Sequence, residues 1–243
     1  MSGTERLVDR LARLARSWQT AATTAQAQRS VTRAAVDTVA GCDHASISLI
    51  SRHGAVITVA ATGDLPERVD EIQYATGQGP GLDAIRSHLW RRLPDFETDV
   101  TWPAFSRRAV QLTAVRSMVS LRLFTGDDVI GALNLYSTTA YAFGAQAIAT
   151  ACLFATHAAI ALDAARDRQV CGELQAAVQS NREIGMALGI AMATLRVTPQ
   201  QALELLRTVS RRSNRRLHEI ALDVVETGQL PEVPAAENRP ARR

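Results

Sequence analysis

Apolar residues recur along this chain with different rhythms, and each rhythm predicts a different kind of element. Leu7, Leu11, Leu14 and Trp18 are spaced by four, three and four residues, the stripe of an amphipathic helix with arginines between. A second helical stretch follows at about 25–40. The period then drops to two. "HASISLIS" (44–51) and "AVITVAA" (55–61) are alternating and β-branched, and Arg52-His53-Gly54 between them predicts a hairpin. Segment 63–113 is less regular, with Gly77, Gly79, Gly81, Pro80, Pro94 and Pro103 punctuating short helices. Two more strands, "VRSMVSLRLF" (115–124) and "DVIGALNLYS" (128–137), turn at Thr125-Gly126-Asp127. Val119, Leu121 and Leu123 alternate with Met118, Ser120 and Arg122, which predicts an antiparallel sheet with one covered face. Together these elements describe an α+β domain of about 160 residues.

From about Gly144 to Leu195 the chain reads as nearly unbroken helix. Val170, Leu174, Ala177, Asn181, Ile184 and Leu188 alternate spacings of four and three, a short 3.5-residue repeat. It serves either a seam between two copies, with polar Asn181 setting the register, or packing within one chain. A new helix starts at Thr198, with Pro199 as its first residue and Gln201 completing a capping box. Its apolar face is Ala202, Leu205, Leu206 and Val209. Ser213 or Asn214 breaks and recaps the chain, Arg215 and Arg216 open the next helix, and Leu217, Ile220, Ala221 and Val224 form its face. Gly228 and Pro231 end it. The last 60 residues or so thus form a three-helix module with a Pro-rich, polar and disordered tail.

Composition narrows the class. Apolar residues make up 47% of the 243, enough for a real core, and the net charge of +3 excludes nucleic-acid binding through bulk charge. All 27 basic residues are arginine. Any nucleic-acid role must therefore come from a local cluster, and one exists. Residues 196–216 hold six arginines against one acid, Glu204. On helices, Arg207 and Arg211 lie opposite the core face, with Arg212 flanking it. Such a corner suits several phosphates of a looped backbone; the bland alternative is a solvated face tied by Glu204–Arg207 and Arg215–Glu219 pairs. The last helix turns acidic at Glu219, Asp223 and Glu226, which opposes insertion into a DNA groove.

Other chemistry is sparse. Cys42, Cys152 and Cys171 form no C-x-x-C pair and suggest neither disulfide nor zinc. Gly77 to Gly81 reads as a structural turn, since neither a third glycine at 82 nor a following G-K-[ST] is present. Asp95, Glu97 and Asp99 read as a solvated loop, and His157 as a satisfied packing residue. No nucleophile–base–acid arrangement emerges, so no enzyme is expected. The apolar stretch 147–165 reads as a buried or dimer-forming helix rather than a membrane span, and no signal peptide is evident, so a cytoplasmic protein is expected.

Residues 181–231 resemble the ANTAR domain, an RNA-binding antiterminator module. The resemblance rests on Arg182, Ile184, Ala187, Gly189, Ile190, Met192, Ala202, Leu205, Leu206, Arg207, Ser210, Asn214, Arg215, Arg216, Leu217 and Ala221. The chain departs at Leu188, commonly Lys, and at Ala191, usually Leu. Upstream, "TGQGPGLDAI" (76–85), "WPAFSRRAV" (102–110), "VRSMVSLRLF" and "IGALNLYSTTAYAF" (130–143) resemble GAF domains of actinobacterial GAF–ANTAR regulators. Gly81 stands where Cys is common, and Thr101 where Arg often precedes Trp-Pro.

The resemblance implies a GAF sensory domain with an N-terminal helix (1–165), a coiled-coil-like helical linker (166–180), an all-α three-helix ANTAR module (181–231) and a tail (232–243). It implies RNA contacts from Arg182, Arg207, Ser210, Arg211, Arg212, Asn214, Arg215 and Arg216. It also implies a homodimer that holds paired hairpins in a nascent leader and blocks the terminator, touching RNA polymerase only indirectly. No metal or cofactor is expected beyond an unidentified small-molecule ligand of the GAF domain. Two other readings stay open: a ligand-binding signalling protein whose helical end only dimerises or docks a protein, and a DNA-binding repressor.

Overall fold

Helix α1 (Gly3–Gln19) carries the first apolar stripe as expected. Leu11 and Trp18 are buried, with Leu7 and Leu14 packed at the margin. Helix α2 (Thr24–Thr38) is capped by Thr23, whose hydroxyl accepts the Gln26 N–H at 3.1 Å. The computed structural model describes residues 3–51, 53–87, 89–126 and 128–230. They divide after Gln169 into two units.

The first unit is built on five antiparallel strands, β1 (His44–Ile50), β2 (Val56–Ala61), β3 (Trp90–Leu93), β4 (Ser117–Thr125) and β5 (Asp128–Ser137), in the order β2-β1-β5-β4-β3. Four of them match the alternating segments. Of the two turns between them, Arg52 and Asp127 lie outside the described residues; Gly54 and Gly126 take φ of 80° and 56°, as tight hairpins require. β3 falls outside the alternating segments and lies at the sheet edge. The irregular stretch supplies α3 (Asp64–Thr76), α4 (Pro80–Ser87) and α5 (Pro103–Leu112), and both prolines stand at a helix start. Gly77 closes α3 at φ 65°. The Gly77–Gly81 stretch is the structural turn that its sequence suggests.

The expectation of one covered face is wrong. Ala45, Ile47, Val119, Leu121, Leu133 and Leu135 pack with α1, α2 and the first part of α6 (Ala145–Leu195), including Trp18, Val31 and Phe154. Trp18 meets Phe154 edge-on at 5.3 Å between ring centres. Met118 and Tyr136, on the opposite face, pack with Val69, Ile72, Leu93 and Phe105. The segment between the hairpins folds back over that face, so its polar residues are buried too.

Asp95, Glu97 and Asp99 are also not a simple solvated loop. Asp95 is buried and, with Glu97, pairs with Arg116 at 3.2 Å. Asp99 accepts the Trp102 N–H at 2.9 Å and the Ser106 hydroxyl at 2.5 Å, fastening the entry to α5. The Arg116 guanidinium holds Asp95 and Glu97, while local backbone N–H groups bond Asp95 and Asp99. Among the described residues no cluster of His, Cys, Asp and Glu could hold a metal. His157 Nδ1 donates to the Leu153 carbonyl at 2.8 Å, as a satisfied helix residue does.

One helix among the described residues, α6, is long and apolar enough to cross a membrane, but 56% of its most apolar window is buried inside the protein. Its early residues Ala151, Phe154, Ala155, Ala158 and Leu162 are core positions of the sheet unit.

The second unit contains the end of α6 with α7 (Pro199–Ser213) and α8 (Leu217–Thr227). Ala187, Leu206, Val209, Ile220, Ala221 and Val224 form its core. The expected capping box is present: Thr198 Oγ1 accepts from Gln201 N at 3.3 Å, and Gln201 Oε1 accepts from Thr198 N at 3.0 Å. Gly228 ends α8 at φ 69°. Pro231 and the tail 232–243 lie outside the described residues.

Candidate nucleic-acid interface

Three residues join α7 to α8, and the backbone there decides where the arginines stand. Asn214 adopts the left-handed conformation (φ 52°, ψ 33°) that Asn tolerates better than most residues. Ser210 Oγ then donates to the Arg215 carbonyl at 2.6 Å, while Arg215 N–H returns to the Ser210 carbonyl at 3.2 Å. Ser210 and Asn214, both candidate RNA contacts, thus have turn-building work of their own. Arg215 and Arg216 do not open α8 from inside. Arg216 is its N-cap, with the N–H accepted by Glu219 Oε2 at 3.3 Å, and Arg215 precedes it. The left-handed residue adds a step between the helices, which the helical spacing of the apolar face does not reveal.

Arg211 and Arg212 occupy the last turn of α7, where cations complement the carbonyl end of the helix dipole. Arg207, Arg211, Arg212, Arg215 and Arg216 are all exposed. Several are nonetheless engaged. Glu204 reaches Arg207 at 3.3 Å through one carboxylate oxygen and Arg211 at 4.0 Å through the other. Arg215 is 2.6 Å from Asp223 and 3.8 Å from Glu219. The hydrogen bond to Asp223 raises the Arg215 pKa above its usual value, and the Arg215 guanidinium holds the Asp223 carboxyl below the usual carboxylate range. Asp223 lies eight residues from Arg215, outside the i, i+4 pairing that sequence inspection covers. Arg216 has no acidic partner within ion-pair distance among the described residues. Arg182 is exposed on α6.

The six seam positions separate into two kinds. Ile184 and Leu188 are half-buried against the core of their own unit. Val170, Leu174, Ala177 and Asn181 are exposed, with Leu174 at 64% and neighbouring Val178 at 62%. Ala191, where a larger residue is usual in the resembled module, is completely buried. In the sheet unit, Leu153 and Ile160 are exposed seven residues apart on α6.

A second polar site lies within the sheet unit and has no motif in the sequence. On the α3–α4 side of the sheet lies a fully buried carboxylate, Asp70. It accepts from Ser46 at 2.7 Å, Thr58 at 2.9 Å, Gln73 at 3.0 Å, Asn134 at 3.2 Å and Tyr136 at 2.5 Å. Burial pushes its pKa up to about 6, against the opposing pull of those donors. Burial and the adjacent Asp70 charge push Tyr74 up to about 12, and Tyr136 well above its usual value. Tyr74 and Thr58 also line a cavity of about 420 Å³ beside β2, with Glu67 and Glu71 in its wall. The signal was present: Ser46 and Ser48, like Asn134 and Tyr136, are polar residues at alternate strand positions. Gly81 completes the packing, since a Cβ there would lie 2.9 Å from Asn134 Oδ1, and its N–H donates to Gln73 at 2.8 Å.

Two family models match the chain: a GAF domain over residues 21–163 and an ANTAR domain over 172–225. No curated protein matches it. Among solved structures, similar ones include the GAF domains of phosphoenolpyruvate-protein phosphotransferases from Acinetobacter and Coxiella burnetii. They are 14% and 17% identical, each with TM-score 0.53, covering 70% of this chain and 99% of theirs. The free methionine-R-sulfoxide reductase of Neisseria meningitidis is similar at 13% identity and TM-score 0.54, over 69% of this chain and 95% of that one. At these identities the likeness concerns the fold.

Proposed function

Because this chain belongs to the GAF-domain family, its match spanning more than half of the residues, and carries an ANTAR domain behind it, we propose that it is a signal-responsive antitermination regulator. The architecture is that of a sensor joined to an RNA-binding antitermination domain. In this reading the arginine corner grips folded leader RNA, and a hairpin held there cannot rearrange into the terminator. Exposed Val170, Leu174 and Val178 supply the contact between two copies, so that a dimer holds two hairpins at once. An unidentified ligand of the GAF domain shifts activity to the extent that it binds one state of the protein better than another.

The observation that carries the reading is the exposed cluster of five arginines around the α7–α8 joint in a chain of nearly balanced charge. Electrostatics supports a looped RNA over a duplex groove: Glu219, Asp223 and Glu226 run along α8 and would oppose its insertion between two phosphate backbones. Sequencing RNA that copurifies with the full-length protein tests the reading. Paired hairpins upstream of terminators support it; enrichment of duplex DNA, or of no nucleic acid, removes it.

A further inference from the structure

Glu204 is the only acid between Arg196 and Arg216, and it lies within ion-pair distance of two of the arginines proposed for the RNA surface. Its two oxygens are divided between them, Oε1 toward Arg207 and Oε2 toward Arg211. Thr208 fixes the spacing from below: its hydroxyl donates to the Glu204 carbonyl at 2.8 Å and accepts from Arg211 at 3.4 Å. Two guanidiniums at i and i+4 on one helix face would otherwise repel each other. The carboxylate therefore faces the two guanidiniums that a phosphate would also use.

We propose that Glu204 is an internal phosphate competitor that sets the selectivity of the arginine corner. The inference rests on the RNA-binding reading above. A phosphate approaching Arg207 or Arg211 competes with one carboxylate oxygen for the guanidinium charge. A single or freely moving phosphate gains one ion pair and disrupts another. A folded backbone that presents two fixed phosphates engages both arginines together and releases the carboxylate to water. The competitor thus discriminates against flexible, sparsely contacting polyanions more than against a structured loop. Exposed pairs of this kind are weak, so the barrier is a filter and not a block. Removing the acid also adds one unit of positive charge, which alone strengthens attraction to any polyanion within about one Debye length. A proper control must carry that same charge change elsewhere.

The test compares Glu204→Gln with Glu226→Gln in the full-length protein, using a short-loop RNA hairpin and single-stranded polyuridylate as probes. Glu226 is exposed on α8, with no ion pair to an arginine within 4.0 Å among the described residues. Glu204→Gln should tighten polyuridylate binding about five-fold and hairpin binding about two-fold, the scale of one exposed ion pair, so that discrimination falls. Glu226→Gln should tighten both equally and by less. Wild-type binding to the hairpin, with the two variants behaving alike, overturns the role of Glu204 and leaves the RNA reading standing. Failure of the wild-type protein to bind the hairpin overturns both.

Discussion

The Ser210 hydroxyl and the Arg215 carbonyl meet at 2.6 Å across the α7–α8 joint, closing a turn whose hinge is left-handed Asn214. Every exposed arginine of the last turn and the cap hangs from that turn, so its rigidity governs how well they converge. Ser210→Ala should lower the stability of the helical unit by about 1 kcal/mol and weaken hairpin binding several-fold. Thermal melts and titrations with labelled RNA read the two effects. Unchanged affinity in a variant with the expected loss of stability would separate the turn from the interface.

Asn214→Gly should be nearly neutral for stability, because Gly accepts positive φ, whereas Asn214→Val should cost about 1–2 kcal/mol. If Asn214 also touches RNA, the Gly variant loses affinity without losing stability. Paired melts and RNA titrations distinguish a turn residue from a contact residue.

Asp70 makes stability depend on pH with an uncommon sign. Its pKa in the folded protein, about 6, lies above the ordinary 3.8, so the fold favours the protonated form. The contribution is fully present below about pH 4, declines as pH rises through about 6, and is absent above. The difference amounts to an order of 3 kcal/mol. Asp70→Asn should flatten the profile of the sheet unit between pH 4 and 7, since the Ser46 and Thr58 hydroxyls can turn to accept from the new amide. Denaturant titrations across that range check it.

Leu206 is completely buried in the three-helix core. Leu206→Ala should cost about 2–5 kcal/mol and unfold that unit first. In calorimetry an early transition should separate from that of the sheet unit.

Leu174 is mostly exposed, so Leu174→Glu should leave the fold intact while splitting a dimer held by that face. Light scattering after gel filtration should give twice the chain mass for the wild type and one chain mass for the variant.

Much of this was legible because periodicity reports burial. The stripe from Leu7 to Trp18, four of the five strands, the long helix and the Thr198 cap all follow from residues whose neighbours in sequence determine their surroundings. β3 escaped because "WRRL" is four residues long, half charged, and a strand only through pairing with β4. The covered second face of the sheet escaped because Ser46, Ser48, Ser120 and Asn134 look solvent-facing until α3 and α4 fold over them. The Arg215–Asp223 pair escaped for a related reason: the left-handed turn alters the helical phase. The arginine cluster itself is visible in the order of residues 196–216, but the ion pairs that engage Arg207, Arg211 and Arg215 are not all so.

As a phosphate-binding surface, the arginine corner should show itself in the salt dependence of RNA binding. The most direct measurement is the affinity of the full-length protein for a short-loop RNA hairpin as salt is varied, for the wild type and for Arg216→Ala. The variant should bind more weakly, with a log–log salt slope smaller by about one. Equal affinity and equal slope for the two proteins would contradict that role.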